Sequence, residues 1–501
     1  MLEDDFKEYI KKNYPPYKES ILLGRPFFKH QIDIEGTISP PLSMANRHGL
    51  ISGATGTGKT KTLQILAEEF SKNGVPCLLM DIKGDLSGIA KEADKKNPKL
   101  LKRQKDLQLP WQVRGFPVEF LSISAEKGIP ITLSLEKFGP LLLSRILDLN
   151  TTQEGVLSIL FTYCKERDIR IFYLKDLYKT IQYLLDNTSA REAFVKEYGA
   201  VSTSSLSTLL RKIFLLRQEG GDKLFEKDFP LENFLSIKEG FGVIHLLCLA
   251  DIQNNPRVFS TFMIGLLNSM QEHFKEVGDL NKPKFALFID EAHFIFKDAS
   301  KILLDKLETT IKLIRSKGIG IYFCTQLPGD IPDGILAQLG LKVQHALRGV
   351  TAKDRKEIKK AIENYPTSPF YKSDELIGQL AIGEALITSL NEKGAPSSLI
   401  HTLLRTPYSQ MDVLKEEEIN LLIEESSLRK KIKNQISRDP KKEFKLDEGI
   451  LEEKQKPIEK KQSYYLEDLL KSPFIKNFLN VLSREGAKLL LGWIKNNKRK
   501  K

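Results

Sequence analysis

The sequence predicts an α/β fold with a mostly parallel sheet flanked by helices, a helical insertion and a charged C-terminal helical tail. Over residues 48–85 a short apolar run, a glycine-rich loop, an amphipathic helical pattern and a second apolar run follow one another. This order is that of a βαβ unit, whose two strands are parallel. Apolar runs recur at 241–250, 284–293 and 319–326, and each is expected to add a strand.

The expected domains follow from shifts in composition along the chain. Residues 1–43 should form an N-terminal arm and a short extended segment, and residues 44–410 the sheet domain. Within that domain, residues 91–240 have a mostly helical pattern and are expected to be an insertion. Two further runs, at 342–349 and 384–390, are expected to close the sheet.

The C-terminal part differs from the rest in composition. Residues 411–470 should form a charged helix and a Lys/Glu-rich disordered linker, because so few apolar residues cannot build a core. Residues 471–501 predict a basic amphipathic helix that could neutralise phosphates on DNA or on anionic lipid. A helix that packs back on the protein or on another subunit is the alternative, and membrane contact through the tail is disfavoured.

Composition narrows the class of protein. The chain has 501 residues, 41% of them apolar, and a net charge of +12, which favours polyanionic partners. No stretch approaches the roughly 18 apolar residues of a membrane helix, and the N-terminus lacks a signal-peptide pattern, so a cytoplasmic protein is expected. The cysteines are scattered and should be reduced, and the seven histidines show no zinc-ligand spacing.

The segment Gly53–Thr60, GATGTGKT, matches the phosphate-binding pattern GxxxxGK[ST]. Glycines allow the backbone to turn successive amides toward one anion, and the helix that follows points its positive end at the phosphates. Lys59 is expected to reach the β- and γ-phosphates, and the Thr60 hydroxyl to bind Mg²⁺. The alternative is a structural glycine-rich turn. The expected nucleotide-binding residues are Gly53, Ala54, Thr55, Gly56, Thr57, Gly58, Lys59, Thr60 and Lys61.

An acidic pair ends the apolar run FALFID. Ligands of parallel sheets collect at the carboxyl ends of the strands, so Asp290 is expected to hold the metal ion and its waters. Glu291 is expected to orient and deprotonate the attacking water. The alternative is a solvated Asp–Glu pair. The guanine-reading pattern NKxD is absent, because Lys284 stands where it requires aspartate, so the nucleotide should be ATP.

Two other residue types complete the predicted catalytic set. Gln326 closes a strand, and its amide could hold both the water and a γ-phosphate oxygen; a turn-capping amide is the alternative. An arginine commonly stabilises charge on the transferred phosphoryl group and can come from a neighbouring subunit. Spacing does not choose among the three candidates, which are Arg348, Arg315 and Arg145.

Five segments carry a resemblance to a known family. They are MANRHGLISGATGTGKTKTLQILAEEFSKNGVP, DIKGDLSGIA, FALFIDEAH, LIRSKGIGIYFCTQLPGDIPD and LGLKVQHALR. In order and spacing they resemble the HerA-like branch of the HerA–FtsK superfamily, and most closely a bacterial subgroup with a HerA-type helicase domain of unknown function. The resemblance covers roughly residues 20–410.

The resemblance implies a RecA-like P-loop NTPase core that assembles as a hexameric ring and hydrolyses ATP to pull double-stranded DNA through its channel. It also implies a nuclease or another protein as a partner. Lys59 and Thr60 match the phosphate and Mg²⁺ residues, and Asp290 and Glu291 match the Walker B pair. In the same way, Gln326 matches the polar residue after the fourth core strand, and Arg348 the arginine near the subunit boundary.

Two departures from the family pattern leave a second function open. HerA proteins carry a β-barrel before the P-loop, whereas about fifty residues precede it here. The family usually reads Gln-Arg-Pro where this chain has Leu327 between Gln326 and Pro328. The alternative is therefore a nucleotide-gated regulatory or scaffold ATPase that acts on protein partners, with membrane association through its tail as a further variant.

Overall fold

The computed structural model describes most of the chain up to residue 437, and every structural statement below refers to the described residues. These are residues 4–123, 128–218, 221–225, 228–249, 256–278, 280–296, 301–348, 352–363 and 365–437. The predicted linker beyond residue 437 and the predicted basic helix at 471–501 lie outside them.

Within the described residues, one sheet of twelve strands organises the fold. Its strands are β1 (Gly24–Phe28), β2 (Gln31–Ile32), β3 (Gly49–Ser52), β4 (Cys77–Asp81), β5 (Val118–Ser122), β6 (Ile129–Pro130), β9 (Ile244–Cys248), β10 (Phe285–Ile289), β11 (Ile319–Thr325), β12 (Leu341–Gln344), β13 (Glu384–Thr388) and β14 (Ile400–Leu404). A separate hairpin joins β7 (Ile237–Lys238) and β8 (Phe241–Gly242).

The strand order is β2-β1-β14-β13-β12-β3-β11-β10-β4-β9-β5-β6. The eight strands from β12 to β6 run parallel, whereas β13, β14, β1 and β2 add an antiparallel edge. The α/β class and the mostly parallel sheet are thus confirmed. Because parallel neighbours end at the same edge, β3, β11 and β10 bring the loops that follow them together.

Sixteen α-helices lie within the described residues. They are α1 (Asp4–Asn13), α2 (Lys59–Lys72), α3 (Pro98–Leu107), α4 (Leu135–Ile146), α5 (Thr151–Glu166), α6 (Leu174–Asp186), α7 (Thr188–Tyr198), α8 (Thr203–Gln218), α9 (Pro256–His273), α10 (His293–Phe296), α11 (Lys301–Ser316), α12 (Asp333–Leu336), α13 (Ala352–Ile362), α14 (Ser373–Leu376), α15 (Glu416–Glu425) and α16 (Ser427–Ser437).

The central strands are buried on both faces, which explains their continuous apolar runs. Every residue of β4, β10 and β11 is buried. Side chains alternate between two cores, so Leu78 packs in one cluster and Leu79 in the other. Burying a side chain such as Phe288 contributes about 1.5–3 kcal/mol. The apolar runs therefore fix the sheet and the positions of the strand ends.

The segment expected to be an insertion contributes to both the helices and the sheet. Helices α4 to α8 follow one another between Leu135 and Gln218, while β5 and β6 of the same segment pair within the main sheet. The domain boundaries themselves stay a prediction. No helix of the described part of the chain has the length and apolar character needed to cross a membrane.

Candidate functional site

The glycine-rich loop begins where β3 ends and leads into α2. Gly53 and Gly58 have φ of 152° and 113°, values that side chains rarely adopt. A Cβ atom on Gly53 would lie 2.5 Å from the Cβ of His345, so a larger residue does not fit there. The loop conformation thus depends on glycine at its first position.

Hydrogen bonds fold the loop into a turn above the start of α2. The Ala54 N–H donates to the carbonyl oxygen of Ala346 at 2.8 Å, and the Thr57 hydroxyl donates to the Ala54 carbonyl at 2.7 Å. The Lys59 ammonium is buried and donates to the carbonyl oxygens of Gly53 and Ala54, at 2.7 and 3.1 Å. Thr55 and Gly56 are exposed at the tip of the turn. Lys59 therefore lies across the loop that would hold the phosphates.

The start of α2 has the properties of an anion site. Gly58 provides no side-chain cap, and the first turn of the helix contains no acidic residue. Its first N–H groups and the positive end of its dipole are therefore available to an anion. Thr60 is half-buried in this turn. The ammonium of Lys61 donates to the carbonyl oxygen of Met411, which ties this turn to the segment after β14.

The acidic pair directly follows β10 and is almost fully buried, with exposed fractions of 3% for Asp290 and 7% for Glu291. Burial raises the pKa of Asp290, an effect that the nearby Lys83 ammonium opposes. Glu291 has φ of 46°, in the left-handed region that favours glycine. A buried carboxylate and a strained backbone at a strand end are typical of a functional site.

The end of β11 connects the glycine loop with the acidic pair. The carbonyl oxygen of Cys324 accepts the N–H of Ala292 at 2.9 Å, and the carbonyl oxygen of Gln326 accepts the N–H of Gly53 at 3.2 Å. Because β11 lies between β3 and β10, the loop and the pair are two strand spacings apart, about 10 Å. A triphosphate and a metal ion fit within that distance. The side chain of Gln326 is exposed at this edge.

The three candidate arginines occupy different parts of the fold. Arg348 is exposed and lies two residues beyond Ala346, which contacts the glycine loop. Arg315 lies in the last turn of α11 and interacts electrostatically with His48, which precedes β3 at the edge opposite the loop. Arg145 lies in the last turn of α4. Of these three arginines, only Arg348 therefore lies in a segment that contacts the glycine loop.

Several residues near the loop were given no role by the sequence analysis. Lys83 lies 2.6 Å from Glu291, measured from Nζ to Oε1. The Nε2 atom of His345 lies 2.8 Å from the Thr62 hydroxyl of α2, and burial lowers the pKa of His345 to about 4. The guanidinium of Arg103 donates to the carbonyl oxygen of Gly383, whose N–H reaches Thr57. A polar residue inside the last part of a predicted apolar run could have indicated Lys83 and His345.

Within the described residues there is no group of histidine, cysteine and acidic side chains with the geometry of a protein-only metal site. All four cysteines are free in the structure. A Mg²⁺ site at Asp290 would instead share its ligands with phosphates and water, as is usual for this ion.

Comparisons with known proteins identify the family of the chain. A family model described as "Helicase HerA-like C-terminal" matches residues 28–477. No curated protein matches the chain.

The solved structures that share the architecture include the following two. The bacterial conjugative coupling protein TrwBΔN70, in its unbound monoclinic form, is 14% identical, covers 81% of this chain and 94% of its own, and has a TM-score of 0.51. VirB4 of Thermoanaerobacter pseudethanolicus is 15% identical, covers 78% and 98%, and has a TM-score of 0.50. At such identities the likeness shows the fold alone, a RecA-like P-loop core.

Proposed function

The chain belongs to the HerA-like helicase C-terminal family, and from this premise we propose that it is a Mg²⁺-dependent ATPase that works as a motor on double-stranded DNA. One observation carries the proposal. The end of β11 is hydrogen-bonded on one side to the glycine loop and on the other to the acidic pair, through the carbonyls of Gln326 and Cys324.

The phosphates of ATP bind along the turn from Gly53 to Lys61. The N–H groups of the turn and of the start of α2 face the phosphate oxygens, and Lys59 exchanges its two carbonyl partners for the β- and γ-phosphates. Thr60 and Asp290 would hold Mg²⁺. The site fits this ion, because Asp290 is a buried carboxylate and burial raises its pKa although the Lys83 ammonium lies nearby. When bound, the cation offsets the negative charge of the phosphates.

Glu291 acts as the general base in this proposal. A water molecule gives its proton to the carboxylate as its oxygen attacks the γ-phosphorus, and the bond between that phosphorus and the β–γ bridging oxygen breaks to release ADP. The Gln326 amide orients the water and the γ-phosphate. Hydrolysis is favoured over phosphoryl transfer to another acceptor, because Glu291 and Gln326, the two groups that would act on the water, lie at the same edge of the sheet.

Assembly completes the proposed motor. Arg348 is exposed next to the loop, so it could reach the γ-phosphate of a neighbouring subunit. We propose a hexameric ring that passes double-stranded DNA through its channel in the cytoplasm and cooperates with a nuclease or another protein. The net charge of +12 suits a polyanionic substrate.

The rate of ATP hydrolysis with and without double-stranded DNA tests the motor. At low salt, DNA should raise the rate. Raising the salt concentration should remove the effect, because contacts to DNA phosphates release counterions and therefore weaken as salt rises. The particle mass with ATP and DNA should be that of six chains. If the protein hydrolyses ATP but DNA leaves the rate unchanged, the proposed DNA motor is contradicted, whereas the proposed ATPase activity is not.

A second candidate function is a nucleotide-gated regulatory or scaffold ATPase. Leu327 favours it, because this side chain packs against an apolar cluster that includes Ala346 and Leu347 and offers no positive charge to a neighbouring subunit. Such a protein would hydrolyse ATP at a rate that responds to a protein partner and not to DNA.

A further inference from the structure

A lysine to which the sequence analysis assigned no role contacts the proposed general base. Lys83 lies in the loop that follows β4, and its Nζ is 2.6 Å from Oε1 of Glu291. We infer that Lys83 is a positioning residue for ATP hydrolysis, which holds one carboxylate oxygen of Glu291 so that the other faces the attacking water. The inference rests on the proposed role of Glu291.

The backbone around Lys83 is held in a fixed shape. The buried carboxylate of Asp81 accepts the N–H groups of Gly84, Asp85 and Leu86, at 2.6, 3.1 and 3.0 Å. Gly84 has φ of 75°, which turns the chain sharply. Three hydrogen bonds to one carboxylate order a short loop, so the Lys83 side chain starts from a defined point.

The two oxygens of Glu291 have different surroundings. Oε1 accepts the short charge-assisted bond from Lys83. Oε2 is buried and accepts no hydrogen bond from any described residue, and the nearest partner, Nδ1 of His293, is 3.3 Å away. A buried acceptor without a donor is costly. Oε2 is therefore the oxygen with a lone pair for a water molecule.

The position of the loop explains how a lysine so far away in sequence reaches the base. Strand β4 lies directly beside β10, with Met80 paired to Ile289, and both strands end at the same edge. Glu291 lies two residues beyond Ile289, and Lys83 lies three residues beyond Met80. The lysine side chain is 44% exposed, so it adds little to stability, and its defined contact is with the acidic pair.

Two other roles for this ion pair predict different kinetics. An ordinary surface ion pair would leave hydrolysis unchanged when broken. If the pair were inhibitory, so that Lys83 neutralised the base until a partner protein bound, breaking the pair would raise the basal rate of hydrolysis. A positioning residue predicts the opposite, because without Lys83 the carboxylate loses its fixed orientation in the step that transfers the proton.

Steady-state hydrolysis of Mg·ATP by the full chain and its Lys83→Met variant tests the inference. Methionine keeps the length and removes the charge. We expect kcat to fall by about ten- to a hundredfold, the scale of an impaired general base, with KM and analogue binding nearly unchanged. Lys83→Arg should recover most of the rate. The matched control is Lys91→Met, since Lys91 makes an equally short pair with Glu418 of α15.

A combined variant separates positioning of the base from other effects. In the Glu291→Gln background, Lys83→Met should cause no further loss, because the two residues act as a unit. An unchanged or raised kcat, a further loss in that background, or loss of analogue binding would overturn the inference. A wild-type chain that does not hydrolyse ATP would instead overturn the proposed function.

Discussion

The main-chain carbonyl of Gln326 accepts the N–H of Gly53 at 3.2 Å, and so joins the strand-end glutamine to the first residue of the glycine loop. The contact uses only backbone atoms and leaves the Gln326 amide group exposed at the edge of the sheet. A change in the loop on nucleotide release would therefore reach β11 directly. The contributions of the side chain and of the main chain of this residue can therefore be tested separately.

Replacing the amide tests that separation. Gln326→Ala keeps the backbone contact with Gly53, so nucleotide affinity should stay unchanged. The loss of a donor that stabilises the reacting group should lower kcat by about a hundredfold. The control is Gln338→Ala, whose amide bonds the carbonyl of Gly334. Equal rates for Gln326→Ala and the wild type would make Gln326 a turn-capping residue.

Removing the loop lysine should weaken nucleotide binding. Lys59→Ala deletes the ammonium that would bind two phosphates, and such charge-assisted bonds contribute about 1.5–3 kcal/mol each. We expect the dissociation constant for Mg·ATP, measured by calorimetry, to rise at least about tenfold. Lys72→Ala, at the far end of the same helix, should bind normally. Unaltered binding by Lys59→Ala would place the nucleotide elsewhere.

Two glycines of the loop should differ in their tolerance to alanine. A Cβ on Gly53 meets His345 at 2.5 Å, whereas one on Gly56 meets no heavy atom within 4 Å. Gly56→Ala should cost about 1 kcal/mol from its left-handed backbone alone. Gly53→Ala should cost about 1–3 kcal/mol more because it is overpacked. Urea unfolding gives both values, and equal costs would contradict the described loop.

A buried ion pair network attaches the segment after β14 to the helix that follows the loop. Arg405 is 4% exposed, and its Nη2 lies 2.9 Å from Oε2 of Glu68 and 3.1 Å from Oε1 of Glu69. Arg405→Met would leave the Glu68 carboxylate buried without its cation, and would leave Glu69 only Lys72, at 3.6 Å. The free energy of unfolding should therefore fall by about 3–5 kcal/mol.

An exposed pair provides the comparison for that loss. Lys91 and Glu418 are 52% and 36% exposed, and Lys91→Met should leave the free energy of unfolding nearly unchanged, because solvent screens an exposed pair. Urea unfolding of the two variants under the same conditions measures the difference. Similar losses would mean that Arg405 is not paired in the folded protein.

The loop and the acidic pair could be predicted because each is a local pattern. An apolar strand followed by glycines and a helix fixes Gly53–Thr60, and a buried strand fixes Asp290 at its end. The edge at which they meet follows from parallel strands. The strand at 342–349 was expected to be longer than β12, which ends at Gln344. The residues beyond it leave the sheet to contact the loop through Ala346.

The remaining features depend on contacts between distant parts of the chain. β5 and β14 are short apolar runs, which periodicity does not distinguish from buried helical turns. The ion pair between Lys83 and Glu291 requires β4 to lie beside β10. Local sequence does not determine the order of the strands in a sheet. The resemblance to HerA-like proteins supplied the family, which the family match confirms, while the role of each site residue stays a prediction.

The most direct test of the central claim compares binding and hydrolysis in Glu291→Gln. Glutamine keeps the shape of the side chain and removes the base, so the variant should bind Mg·ATP as the wild type does. Its hydrolysis rate should be at least about a hundredfold lower. Hydrolysis at the wild-type rate by Glu291→Gln would contradict the claim that this strand-end acid activates water against a triphosphate held on the glycine loop.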